Sequence, residues 1–143
     1  MSSDPGLAVQ QAIYSTLTGA AFQTLCGVAV GVYDHVPQGA TPPYIVISDI
    51  QDDGTETQGY DGSDLHLNIT IWTNRPGNVL ARTLANAVRA TLAPRSDLGA
   101  PLTLTGHRLI SWRRTQTLVM DDADGLSVKA LVKIEYATEP LTS

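Results

Sequence analysis

Between Asp64 and Thr73 the chain alternates strictly: Leu65, Leu67, Ile69 and Ile71 are apolar, and His66, Asn68, Thr70 and Trp72 fall between them. Successive strand side chains point to opposite faces, so this run predicts a strand with one face in a core and one face outside it. The pattern returns from Leu126 to Thr138, where Val128, Ala130, Val132, Ile134 and Tyr136 share a face. Strands apolar on one side only belong to antiparallel sheets, because parallel strands are covered on both faces and read as continuous apolar runs. A sheet of this kind needs a cover for one face.

Two amphipathic segments can provide it. Asp4 as N-cap and Pro5 at the first helical position open a helix expected to run from about Pro5 to Leu17 or Ala21, with Gly19 weakening its end. Its apolar side is read as Leu7, Ile13, Tyr14, Leu17 and Ala21. A second helix, capped by Asn74 or Asn78 and stopped by Pro94, carries Leu80, Leu84, Ala87, Val88 and Leu92 on one face. Between the helices, Val28 to Tyr33 is a short extended piece, and Pro37, Gly39, Pro42 and Pro43 exclude regular structure. Tyr44 to Asp49 reads as a strand, Gln51 to Ser63 as a long polar turn. After the second helix, Leu102 to Leu104 is expected as a short strand and His107 to Val119 as a longer one, with Asp121 to Gly125 as the final turn. The order α-β-β-α-β-β predicts an α+β domain over residues 1–143: a mainly antiparallel sheet with two helices packed on one face.

Charge and residue usage narrow the function. The formal charge of −5 makes free nucleic acid or an anionic membrane a poor principal partner. One cysteine, Cys26, allows no internal disulfide, which fits a reducing compartment. The opening, Met1 to Gly6, has neither a basic nor an apolar region, so no secretory signal is expected. No run of ~18 apolar residues suits a membrane-spanning helix. No Gly-x-Ser-x-Gly signature occurs, Cys26 sits in an apolar setting, and His35, His66 and His107 lack zinc-ligand spacing. The glycines at 54, 59 and 62 stand among acids rather than cations, the opposite of a phosphate cradle. No catalytic residue, metal or cofactor is therefore expected. The one enzyme-like or ligand-binding alternative would place Asp34 and His35 in a pocket.

The charges themselves are clustered. Asp49, Asp52, Asp53, Glu56, Asp61 and Asp64 gather around the long turn, and Asp121, Asp122 and Asp124 around the last one. Arg75, Arg82 and Arg89 recur every seven residues along the second helix, and Arg113-Arg114 marks a strand. Arginine suits bidentate ion pairs at interfaces. Any one of these groups taken alone reads first as a solvated face. Taken together, basic surface on one element and acidic surface on another is what head-to-tail self-assembly requires. Arg75, Arg82, Arg89, Arg113, Arg114, Asp52, Asp53 and Glu56 are the candidate interface residues.

Several stretches are similar to the phage tail-completion family: Asp4 to Tyr14, Val32 to Ala40 followed by Pro43 to Ile47, Leu104 to Leu109, and Asp124 to Pro140. The resemblance runs through nearly the whole chain. It implies a tail terminator, or tail-to-head joining protein, of long-tailed phages, prophages or gene transfer agents. Its expected form is a homohexameric ring that caps the tail tube, stops its growth and offers a face to the neck. The implied partners are other copies of itself, the tube protein and a head–tail neck protein. DNA would pass through the channel unbound, no membrane would be involved, and the place of assembly would be the bacterial cytoplasm. A head-side neck adaptor is the alternative within the same class. The segments Asn74 to Asn78 and Pro94 to Pro101 depart from the family pattern.

Overall fold

A computed structural model of the chain describes residues 5–27, 29–34, 38–57, 60–74, 79–94, 101–104, 106–121 and 127–140. Its elements are α1 (Pro5–Thr18), α2 (Ala20–Cys26), β1 (Gly31–Tyr33), β2 (Tyr44–Thr57), β3 (Tyr60–Thr73), α3 (Val79–Leu92), β4 (His107–Asp121) and β5 (Val128–Pro140). The five strands form one sheet in the order β1-β2-β3-β5-β4. Every pairing is antiparallel except β1 with β2. The α+β class and the antiparallel sheet are as expected, with one further helix and a short parallel strand.

The two alternating runs lie side by side. Ile69 pairs with Val132 and Ile71 with Ala130, so both apolar sets face the same way. Leu65, Leu67, Ile69, Ile71, Val128, Ala130, Val132, Ile134 and Tyr136 are all buried, together with Ile45 and Ile47 of β2. α1 lies over β1 and β2, and α3 over β3, β5 and β4. The interleaved positions, from Tyr44 and Val46 to Trp72, Lys129, Leu131 and Lys133, are half-buried on the face without helices. There the Tyr33 and Tyr44 rings meet edge to face at 5.9 Å, and Lys129 lies 5.4 Å from the Trp72 ring centre.

The first helix departs from its expected form in two ways. Gly19 is extended and ends α1, and the chain restarts as α2. The side chain of Gln23 bridges the break: its Nε2 donates to the carbonyls of Leu17 (2.9 Å) and Val30 (3.0 Å), and its Oε1 accepts from the Val30 amide (2.9 Å). α2 ends at Gly27, whose φ of 77° suits a residue without Cβ and whose amide donates to the Gln23 and Thr24 carbonyls. The buried stripe is also different. It runs through Val9, Ile13 and Leu17 at intervals of four, with Ala8 beside it, while Leu7 (50% exposed), Tyr14 (49%) and Ala21 lie off it. A period of ~100° per residue also admits a side turned toward Leu7 and Tyr14; packing on the sheet selects the straight i, i+4 row.

Two further expectations are corrected and a third holds. Gln51 to Ser63 is not a turn: the ladder of β2 and β3 continues to Thr57 opposite Tyr60. Leu102 to Leu104 forms no strand; both leucines are buried in the core, and their alternation reports burial rather than pairing. The last helix of the expected pair begins at Val79 and holds its face, with Leu84, Ala87, Val88 and Leu92 buried. Asp4, His35, Arg75, Asn78 and the turn at 122–125 lie outside the described residues.

Cys26 is buried and its burial pushes the thiol pKa up. A thiol reagent is expected to modify it in the native chain far more slowly than in denaturant. Modification of both at the same rate, followed by mass, would contradict the core placement.

Candidate functional site

The C-terminus of α3 is fixed to the sheet by two aromatic side chains. Leu92, its last residue, has a carbonyl that no intrahelical amide can reach. The Tyr136 hydroxyl donates to it at 2.6 Å, and Trp112 Nε1 donates to the Pro94 carbonyl at 2.9 Å. Trp112 and Tyr136 are direct cross-strand partners of β4 and β5, so one rung of the sheet holds both. This sets α3 alongside the edge strand β4 and leaves a cleft between them.

That cleft is basic. Arg82, Arg89 and Arg114 line it with Ala85, Asn86 and Thr117, around a volume of about 350 Å³. Asn86 Oδ1 accepts from Arg89 (Nη2 at 3.2 Å), and Arg114 donates to Thr117 Oγ1 at 3.3 Å. None of the three is ion-paired with a described carboxylate. Arg113 goes elsewhere. Consecutive strand residues face opposite ways, so it lies on the face without helices and pairs with Glu135 at 3.2 Å. His66 Nδ1 is 3.6 Å from the same carboxylate, and Arg108 pairs with Glu139 on the same face. The structure therefore gathers Arg82, Arg89 and Arg114, and separates Arg113 from them.

Asn86 and Thr117 were not among the sequence candidates. Asn86 was legible, being three residues before Arg89 on a helix. Thr117 was not: residues three apart in a regular strand face opposite ways, and only the register shift between Arg114 and Gln116 turns both toward α3.

Asp52, Asp53 and Glu56 lie on β2 where the hairpin leaves the sheet. The ladder sets Asp53 opposite Asp64 and Glu56 opposite Asp61. β5 accompanies β3 only as far as Ser63, opposite Thr138. From Gly54 to Thr57 and Tyr60 to Ser63 the chain is thus a two-stranded ribbon extending past the sheet.

The alternative ligand pocket has a counterpart in a groove of about 590 Å³ lined by Leu7, Gln10, Gln11, Tyr14, Ser15, Asp34 and Ile47. Asp34 accepts there from Gln10 at 3.2 Å. Its expected companion His35 lies outside the described residues. Among the described residues no three His, Cys, Asp or Glu side chains converge as a metal site, and no helix is long and apolar enough to cross a membrane.

Comparison with known proteins agrees with the resemblance read from the sequence. The family described as tail completion protein gp17 matches residues 11–139. Among solved structures, a chain from the virion of a native gene transfer agent particle superposes with a TM-score of 0.80 at 24% identity, over 96% of this chain and 99% of that one. The bacteriophage SPP1 gp17 protein superposes with a TM-score of 0.55 at 16% identity, over 96% of this chain and 91% of that one. At these identities the likeness is one of fold. No curated protein matches the sequence.

Proposed function

The chain belongs to the tail completion protein gp17 family, and from that premise we propose that it forms a ring of six copies at the head-proximal end of a phage or gene transfer agent tail. The ring caps the tail tube, ends its growth and joins it to the neck, and DNA passes through its channel without specific contacts. Subunits fold in the bacterial cytoplasm and are built into the particle from there. The role is structural, in keeping with a family of virion parts. The observation that carries this reading is the family match across residues 11–139, supported by the fold shared with a gene transfer agent virion chain.

The acidic composition suits such a channel, since basic walls would hold passing phosphates. Charges of opposite sign on separate elements suit a joint that repeats around a ring. Particles assembled without this protein are expected to show heads and tails apart, with tails of uneven length in electron micrographs. Restoring the protein restores joined particles. Tails of normal, uniform length that merely fail to attach would move the role to the head-side neck. Normal particles would end the proposal.

A further inference from the structure

The arginines of the basic cleft are paired with no described carboxylate, and the stretch from Gln51 to Asp64 holds no cation of its own. We propose that the cleft between α3 and β4 receives the β2–β3 ribbon of a second copy of this chain, an inference that rests on the self-assembling reading above. Arg82, Arg89 and Arg114 line the cleft together, Arg89 held by the Asn86 amide and Arg114 by the Thr117 hydroxyl, and none of them by a described carboxylate. Guanidinium groups so placed keep their donors for carboxylates, which they bind in forked pairs.

The ribbon supplies the matching chemistry. Glu56 and Asp61 lie on the ribbon, Asp52, Asp53 and Asp64 on the rungs that lead into it, and the whole stretch from Gln51 to Asp64 has no lysine or arginine. The register sets acid opposite acid at Glu56 with Asp61 on the ribbon, and at Asp53 with Asp64 just inside the sheet. Like charges directly opposite destabilise a strand pair. An isolated two-stranded ribbon is marginal even without that repulsion. Cations from outside the ribbon remove the penalty.

A subunit's ribbon cannot fill its own cleft. Arg114 is level with Ile134 and, through it, with Leu67. The ribbon starts four residues further along β3, at Ser63, a distance of roughly 13 Å. From there it runs onward, away from the cleft. The contact is therefore between copies and joins two different patches, the arrangement that propagates head to tail and closes as a ring when the rotation fits. A DNA backbone is the competing occupant of an arginine cleft, and the net charge of −5 opposes it.

The test uses two full-length variants. One reverses the cleft (Arg82→Glu, Arg89→Glu, Arg114→Glu) and the other the ribbon (Asp52→Lys, Asp53→Lys, Glu56→Lys). Sedimentation, with rings counted in negative stain, is expected to show each variant alone self-associating about a hundredfold more weakly than wild type or worse. Mixed in equal amounts, they are expected to regain rings, because each reversed patch then meets its complement on the other variant. If the thermal midpoint of the first variant falls, Arg82→Gln, Arg89→Gln, Arg114→Gln replaces it for the test of self-association alone, and the mixing test uses Arg89→Glu, Arg114→Glu against the ribbon variant. Rings formed by either variant alone overturn the cleft assignment while leaving the ring intact. Failure of the mixture to recover overturns it too, as does wild-type binding of a labelled DNA duplex that the cleft variant loses. A wild type that stays monomeric at every concentration overturns both the cleft and the ring.

Discussion

Replacing Tyr136 with alanine is expected to lower the unfolding free energy by about 3–5 kcal/mol, a large part of the ~5–15 kcal/mol that holds a domain of this size. The ring is completely buried and its hydroxyl caps the last carbonyl of α3. The alanine variant removes both the packing and the cap. Tyr136→Phe keeps the ring and strands the Leu92 carbonyl, at a cost of about 1–3 kcal/mol. Chemical denaturation measures both.

The same residue makes stability depend on pH in a known direction. Burial holds the Tyr136 phenol well above its ordinary pKa, which in an unfolded chain is about 10. Below that value both states keep the proton and the full stability is present. Above it the unfolded chain releases the proton and the folded one does not, so stability falls by about 1.4 kcal/mol per pH unit from this group. In Tyr136→Phe that part of the alkaline slope is absent. Identical slopes above pH 10 in the two proteins would rule out this account.

Shortening the ribbon is expected to separate folding from assembly. In a variant whose residues 55–62 are replaced by Asn-Gly, the last retained pair is Gly54 with Ser63, and the two-residue turn suits a hairpin. The lost rungs pair only with each other, since β3 pairs with β5 only as far as Ser63. The thermal midpoint is expected to move by only a few degrees, roughly the effect of 1 kcal/mol or less. Ring formation is expected to be lost. Rings at wild-type concentrations would mean that the subunits join elsewhere.

What could be read from the sequence followed the physics of each segment. Leu65 to Ile71 and Val128 to Tyr136 were legible because a half-buried strand writes its geometry into period two. The ribbon was not, because Asp52 to Asp64 has the glycines and acids of a turn. Those residues are strand because the chain above them is: pairing at Ile47 with Ile69 carries the ladder outward. In the helix that opens the chain, the helical period fits a side with Leu7 and Tyr14 as well as the Val9, Ile13 and Leu17 row, and only packing on the sheet selects the second. Of the interface candidates, Arg82 and Arg89 followed from helical spacing. Their meeting with Arg114 depended on the docking of α3 on Trp112 and Tyr136 and on a register shift, neither of which leaves a local signature.

The two register shifts in β4 govern how free subunits keep. An unbroken edge strand of fifteen residues would offer one continuous row of amides and carbonyls, the template on which chains stack into fibres. The shifts at 110 and 115 cut that row into short pieces set out of line with one another. Cross-β growth from this edge is thereby disfavoured, even where free subunits are concentrated.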